Sequence, residues 1–426
     1  MFTTLFRWEI RSLRRDPAFW CAVALAVVAI IFAVTNGVRW RAHLDLVRAA
    51  AAQNDADTRA TAKATAARLD ATPDPTYGAF RDPRVPSAYA NRLMAHFAVL
   101  PATPLAALTA GQSDLLPAVL PLTPGANPSL AGGSEPENPH RLLIGRFDAA
   151  FAVIFLAPLL IIALTYALLA GERERGTLAL LLAQPLSLRA LLASKLAPRA
   201  LLGLGLLALL TALFVLTDPS STFTAPDSAL RLALWLAVAL GYGAFWFALS
   251  LAVITRGGGS ATHAVVLAAL WLALTILLPA GINLAVKTLH PVPSRMDLIL
   301  AMRAATDEAA SQKSQLLAAY YEDHPEFAPA DKAKTAAEDA TLITLAANAK
   351  IERDLAPVLA GYEAQLAAQQ SLVARLQFLS PALLVQSALA DAAGTGLARH
   401  RAFFTQALAH RAELRAFFEP RILRKE

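Results

Sequence analysis

Five mainly apolar stretches of the sequence, each with no more than one proline, run for 18 residues or more without an Asp, Glu, Lys, Arg or His: 19–38, 149–170, 200–217, 232–254 and 264–286. A helix needs about 20 mainly apolar residues to cross the hydrocarbon of a bilayer, so each stretch is predicted to be a membrane crossing. The shortest, 200–217, holds nine leucines with Phe214 and Val215. At roughly −0.3 to −0.6 kcal/mol apiece, these favour insertion by about 3 to 6 kcal/mol. The pattern predicts an all-α polytopic membrane protein with segments 1–18, 39–148, 171–199, 218–231, 255–263 and 287–426 outside the crossings.

Those segments have patterns of their own. In 1–18, Phe2, Leu5, Phe6, Trp8, Ile10 and Leu13 alternate with Arg7, Arg11, Arg14 and Arg15. This reads either as an interfacial amphipathic helix or as a basic flank to the first crossing. The alanine-rich run 41–69 continues the first crossing outward as helix until Pro73 and Pro75. From there to His140, prolines and turn residues predict an irregular segment, packed because Leu100, Leu105, Leu108, Leu115 and Leu116 need burial. In 287–426 the pattern gives helices over 296–321, 332–379 and 397–418. Asp331 is a cap for the second, Pro357 a kink in it, and its leucine stripe serves core packing or a ligand groove.

Composition agrees, at 56% hydrophobic and only 16% charged residues. The net charge of +6 is dispersed rather than gathered in an aromatic-interleaved patch, so no nucleic-acid partner is expected. Instead it orients the chain. Short loops with Lys and Arg stay cytosolic: 1–18 has four arginines, 171–199 has five basic residues, and 255–263 has Arg256, whereas 218–228 has none. The N-terminus is therefore expected in the cytosol, with 39–148 and 287–426 extracytoplasmic.

Catalytic signatures are missing. No glycine precedes a lysine, so there is no phosphate-cradling P-loop; there is neither a His-Glu-x-x-His pair nor a Gly-x-Ser-x-Gly elbow. Cys21 is the single cysteine, which leaves no disulfide or thiolate metal site. His400 and His410 lie ten apart on a predicted helix, too far to share a metal. No catalytic residue, metal or cofactor is expected, and charge-free crossings disfavour an ion-coupled carrier.

The stretch 171–199, GERERGTLALLLAQPLSLRALLASKLAPR, is the polar loop that stands out. Glu172, Arg173, Glu174 and Arg175 form a charged knot. Gly176 and Thr177 follow, then Leu178, Leu180, Leu181 and Leu182 at helical spacing, a patch that something must cover. Pro185 ends that helix, Ser187 caps the next, and Lys195 leads into the third crossing.

This loop resembles that of ABC-2 type transporter permeases: an acidic residue, Gly-Thr, a run of leucines, a proline, a spacer and a lysine. Glu172, Glu174, Gly176, Thr177, Pro185 and Lys195 match in order. The stretches 104–115 (PLAALTAGQSDL) and 380–400 (SPALLVQSALADAAGTGLARH) are similar to the subfamily with large extracytoplasmic domains. The resemblance implies a type V exporter-like bundle in a bacterial inner membrane, with a second permease subunit and a cytosolic ABC ATPase. The 171–199 loop would be a coupling helix, with Leu178, Leu181 and Leu182 filling an apolar groove on the ATPase and Glu172, Arg173, Glu174 and Arg175 pairing at its rim. The alternative from the residues alone is an interfacial helix lying on lipid. Family permeases usually have a sixth crossing, which this chain lacks; truncation and a re-entrant element near 376–389 both remain open. A non-transporting scaffold or sensor, binding a partner through its outer helices, is the rival function.

Overall fold

The computed structural model describes residues 2–125, 145–184, 187–218, 226–291, 295–312, 315, 322 and 340–424. Helix α1 (Phe2–Arg15) is followed at once by α2 (Pro17–Ala71). Asp16 separates them, its side chain accepting from Ala18 N at 2.9 Å, and Pro17 opens the new helix. At 1.5 Å per residue α2 is about 80 Å long. The first crossing and its alanine-rich extension are thus one uninterrupted rod.

Strands β1 (His96–Val99) and β2 (Val119–Leu122) pair antiparallel, His96 opposite Leu122 and Val99 opposite Val119. The fold is nearly all-α, and this small sheet is the departure from the purely helical expectation. Between the strands, residues 103–110 form a packed plug: Leu105 and Leu108 are buried in the bundle core, whereas Leu115 is exposed. A Cβ on Gly37 of α2 would fall on the carbonyl oxygen of Ala107, so only glycine admits the plug there.

Helix α3 (Ala149–Glu174), α4 (Thr177–Leu182), α5 (Leu188–Thr217), α6 (Ser228–Ile254) and α7 (Ser260–Leu289) complete the apolar series. Among the described residues, α2, α3, α5, α6 and α7 are the five single helices long and apolar enough to cross a membrane, and they contain the five predicted stretches. Asp148 caps α3 by accepting from Phe151 N and also from Ala110 N, both at 2.8 Å, pinning the plug to the bundle. Helix α5 starts at Leu188, so the second half of the predicted loop is already rigid helix.

Two of these helices contain a π turn, Ala152–Leu156 in α3 and Ala273–Leu277 in α7. Each is followed by a proline, Pro158 and Pro279, whose missing N–H strips a carbonyl of its donor. Side chains from elsewhere fill in. Tyr242 Oη donates to Ile154 O at 3.1 Å, and Ser380 Oγ donates to Leu274 O at 3.2 Å.

The rest of the chain is α8 (Arg295–Ser311), α9 (Ala340–Leu376), α10 (Pro381–Ala393) and α11 (Leu397–Arg424). The end of α9 and α10 meet at 117°. Near the entry, Gln369 Nε2 donates to His290 O, at the close of α7. The turn at Ser380 reaches halfway down α7, and Gly394, past α10, returns to Arg231 at the start of α6. Both legs therefore use one end of the bundle, and the pair folds as a hairpin that enters and leaves on the same side. Arg411 and Arg415 both pair with Glu352, tying α11 back to α9. The predicted cap Asp331, Pro185 and most of the loop after Gly125 lie outside the described residues.

Candidate functional site

The end of the bundle opposite the plug gathers α1, the α3–α4 junction, the start of α5 and the α6–α7 turn. Here α1 packs against α5 with Glu9 as its buried residue, while Phe2 and Trp8 stay exposed. At the contact lies a buried ionic node of four residues from three distant segments: Glu9, Glu172, Lys195 and Arg199, all under 9% exposed. Lys195 Nζ donates to Glu172 Oε1 at 2.8 Å and to Glu9 Oε2 at 3.1 Å. Arg199 Nη1 donates to Glu9 Oε1 at 2.7 Å, and its Nε to Leu164 O at 2.6 Å. Two carboxylates face two cations, so the group is neutral as a whole, as buried charges must be to avoid a desolvation penalty of several kcal/mol each. Trp8 of α1 places its ring 5.5 Å from Lys195 Nζ.

The α3–α4 junction is built around this node. Thr177 Oγ1 donates to the other oxygen of Glu172, and also to its carbonyl oxygen at 3.1 Å. Gly176 turns the chain between the helices with φ +73°, a left-handed conformation in which a side chain is strained. No atom crowds it, so backbone conformation alone selects glycine.

The next two charged residues grip the α6–α7 turn. Arg173 Nη1 donates to Gly258 O at 3.1 Å. Glu174 accepts from Ser260 N at 2.7 Å and from Ser260 Oγ at 3.1 Å. Ser260 is the first residue of α7 and the preceding Gly259 has no side chain to cap with, so Glu174 serves as an N-cap supplied from another segment. Gly257 and Gly258, at φ +90° and +106°, let the turn fold back onto Arg173 and His263.

The residues expected to dock a partner therefore divide. Glu172, Thr177 and Lys195 come together inside the protein; the rim pairing expected of Glu172 is replaced by an internal one. Arg173 and Glu174 brace a neighbouring turn. Leu178, expected to fill a partner's groove, packs inward on Leu168, Leu169 and Ile254. What faces outward is Arg175, Gly176, Ala179, Leu180, Ala183 and Gln184, with Leu180 at 71% exposure and Leu181 half-buried. The side chain of Leu182, like all of Pro185, lies outside the described residues.

Sequence reasoning passed over Glu9, Arg199 and Ser260. Glu9 had a signal: it is the lone acid among four arginines, and it sits on the apolar side of its helix, where a charge needs a buried partner. Ser260 had none, since its partner is 86 residues away.

Among known proteins, a family model described as a domain of unknown function (DUF3526) matches residues 295–426, which takes in α8 to α11. No curated protein and no solved structure matches the chain.

Proposed function

We propose that this chain is the membrane-spanning permease subunit of an ABC-2 type transporter, an exporter whose ATP hydrolysis occurs in a separate cytosolic ATPase. The observation that carries the reading is the outward face of the α3–α4 junction, where Arg175 just before the turn and Leu180 on the short helix after it stand exposed on a support that the buried node and the Glu174 cap brace. A surface that must transmit a push needs this combination of an apolar anchor, a flanking charge and stiff support. Arginine counting assigns this end to the cytosol, where ATP is available. A second permease subunit completes the path, and β1, β2, α8, α11 and the start of α9 project outside the cell. The chain itself catalyses nothing.

The docking surface is narrower than the loop: Arg175, Leu180, Leu181 and their small neighbours make the contact, while Glu172 and Lys195 set its position. Co-purification of an ABC ATPase encoded beside the permease tests this. Leu180→Glu puts a charge where an apolar anchor would be desolvated and is expected to weaken association about tenfold or more, a loss typical of a hot-spot residue. Undiminished co-purification would sink the assignment of the surface.

A further inference from the structure

A pair of histidines joins two far-end segments that are distant in sequence. His96, the first residue of β1, and His410, on α11, bring their Nε2 atoms to 3.0 Å. Two groups face His96 Nδ1, Arg59 of α2 at 3.4 Å and Asp55 at 3.8 Å; with the guanidinium donating, Nδ1 accepts and the proton of His96 lies on Nε2. That proton goes to His410 Nε2, whose own N–H is then Nδ1–H, donated to Glu413 Oε2 at 3.1 Å. The four groups form a chain, Arg59 to His96 to His410 to Glu413, whose central link needs one Nε2 of the pair to lack a proton.

We propose that the His96–His410 pair is a proton-operated latch between β1 and α11, closed at neutral pH and released by acid. Once each ring has taken up a further proton, neither Nε2 can accept, and two imidazolium rings face each other at 3.0 Å beside the Arg59 guanidinium. Relief from carboxylates is limited. Asp55 stands 3.8 Å from His96 Nδ1 but is held by both arms of Arg59, and Glu413 reaches only His410. Arg411, the next residue of α11, pairs with Glu352 and donates to Thr123 O and Pro124 O just past β2, so α11 stays clasped to α9 and to the β2 end of the sheet while its contact at His96 lets go. The groove between β1 and α11, lined by Val99, Pro101, Arg399, Phe403, Gln406 and His410, would open with it.

The direction of titration agrees. Burial holds the pKa of His96 below the ordinary 6.5, with the charges of His410 and Arg59 acting the same way and Asp55 opposing them. A base whose pKa is depressed in the closed state binds fewer protons there than in the open one, so the closed state is favoured above about 6.5 and loses ground as pH falls below that value.

The test is hydrogen exchange on the full-length protein in detergent with EDTA present, at pH 7.5 and 5.5, each rate corrected for its intrinsic pH dependence. Amides of 96–99 and 403–410 are expected to exchange about threefold to tenfold faster at the lower pH, within the tenfold per pH unit that one shifted proton permits. Segments of α9 around Glu352 should not change. His410→Gln, at a side chain 46% exposed and therefore tolerant of change, should remove the pH response, as should His96→Gln. Equal protection at both pH values in the wild type, or a response undiminished in both variants, would overturn the latch.

Discussion

Lys195 shows how a residue that looks like a surface feature in sequence becomes interior in the fold. It sits in the basic loop before the third crossing, yet it is 6% exposed and bonded to two carboxylates from other segments. Removing it leaves Glu9 and Glu172 with one guanidinium between them, and breaking such a buried pair costs about 3–5 kcal/mol. Lys195→Met is therefore expected to lower the thermal midpoint in detergent sharply. Glu172→Gln added to it should cost clearly less than the sum of the two single changes, because the charge left stranded is then removed; strict additivity would show that the node is not a unit. At Gly176 the reasoning is conformational: Gly176→Ala forces a side chain into φ +73° and should cost about 1–2 kcal/mol with no loss of any contact. A midpoint equal to that of the wild type would refute the strain.

At the scale of elements, the crossings were legible because a charge-free run of about 20 residues has few other folds available. The α2 rod was also legible, since 41–69 has neither Gly nor Pro to stop it. Beta structure was not: four-residue strands are too short for a period to register, and Pro121 lies within β2. The direction of Leu178 was hidden as well, because helical spacing places a leucine on a face without saying which face meets the protein. The two π turns could be suspected from Pro158 and Pro279, but the hydroxyls that serve them come from Tyr242 and Ser380, 88 and 106 residues away. Tyr242→Phe and Ser380→Ala should each cost about 0.5–2 kcal/mol, the range for a hydrogen bond between membrane helices. Variants that melt with the wild type would mean those carbonyls are served otherwise.

At the scale of the molecule, two ends with different jobs are joined by the bundle. The far end is sealed where 104–115 and 380–400, both singled out in sequence, meet: Thr395 Oγ1 donates to Thr109 O at 3.0 Å, and Trp235 Nε1 to Thr109 Oγ1 at 2.9 Å. That pairing was invisible in the sequence, as was the same-side return of the α9–α10 hairpin, because neither leg alone reveals where it re-emerges. The near end carries the ionic node and the exposed Leu180. Sidedness can be measured in a Cys21→Ser background with an impermeant thiol reagent. Ser311→Cys is expected to label in intact cells and Gln184→Cys only after permeabilisation, both positions being exposed; the reverse pattern would invert the molecule and remove the docking surface from the cytosol.

On the proposed function, ATP energy enters through the α3–α4 junction. This is tested by the ATP hydrolysis rate of a candidate ABC ATPase partner, reconstituted in vesicles alone, with this protein, and with its Leu180→Glu variant. The wild type is expected to raise the rate, and Leu180→Glu to abolish the rise while its own stability stays within about 0.5 kcal/mol of the wild type, as an exposed substitution should. A rate unmoved by the permease would favour a membrane scaffold that binds partners through its outer helices. A rise that survives Leu180→Glu would contradict the site.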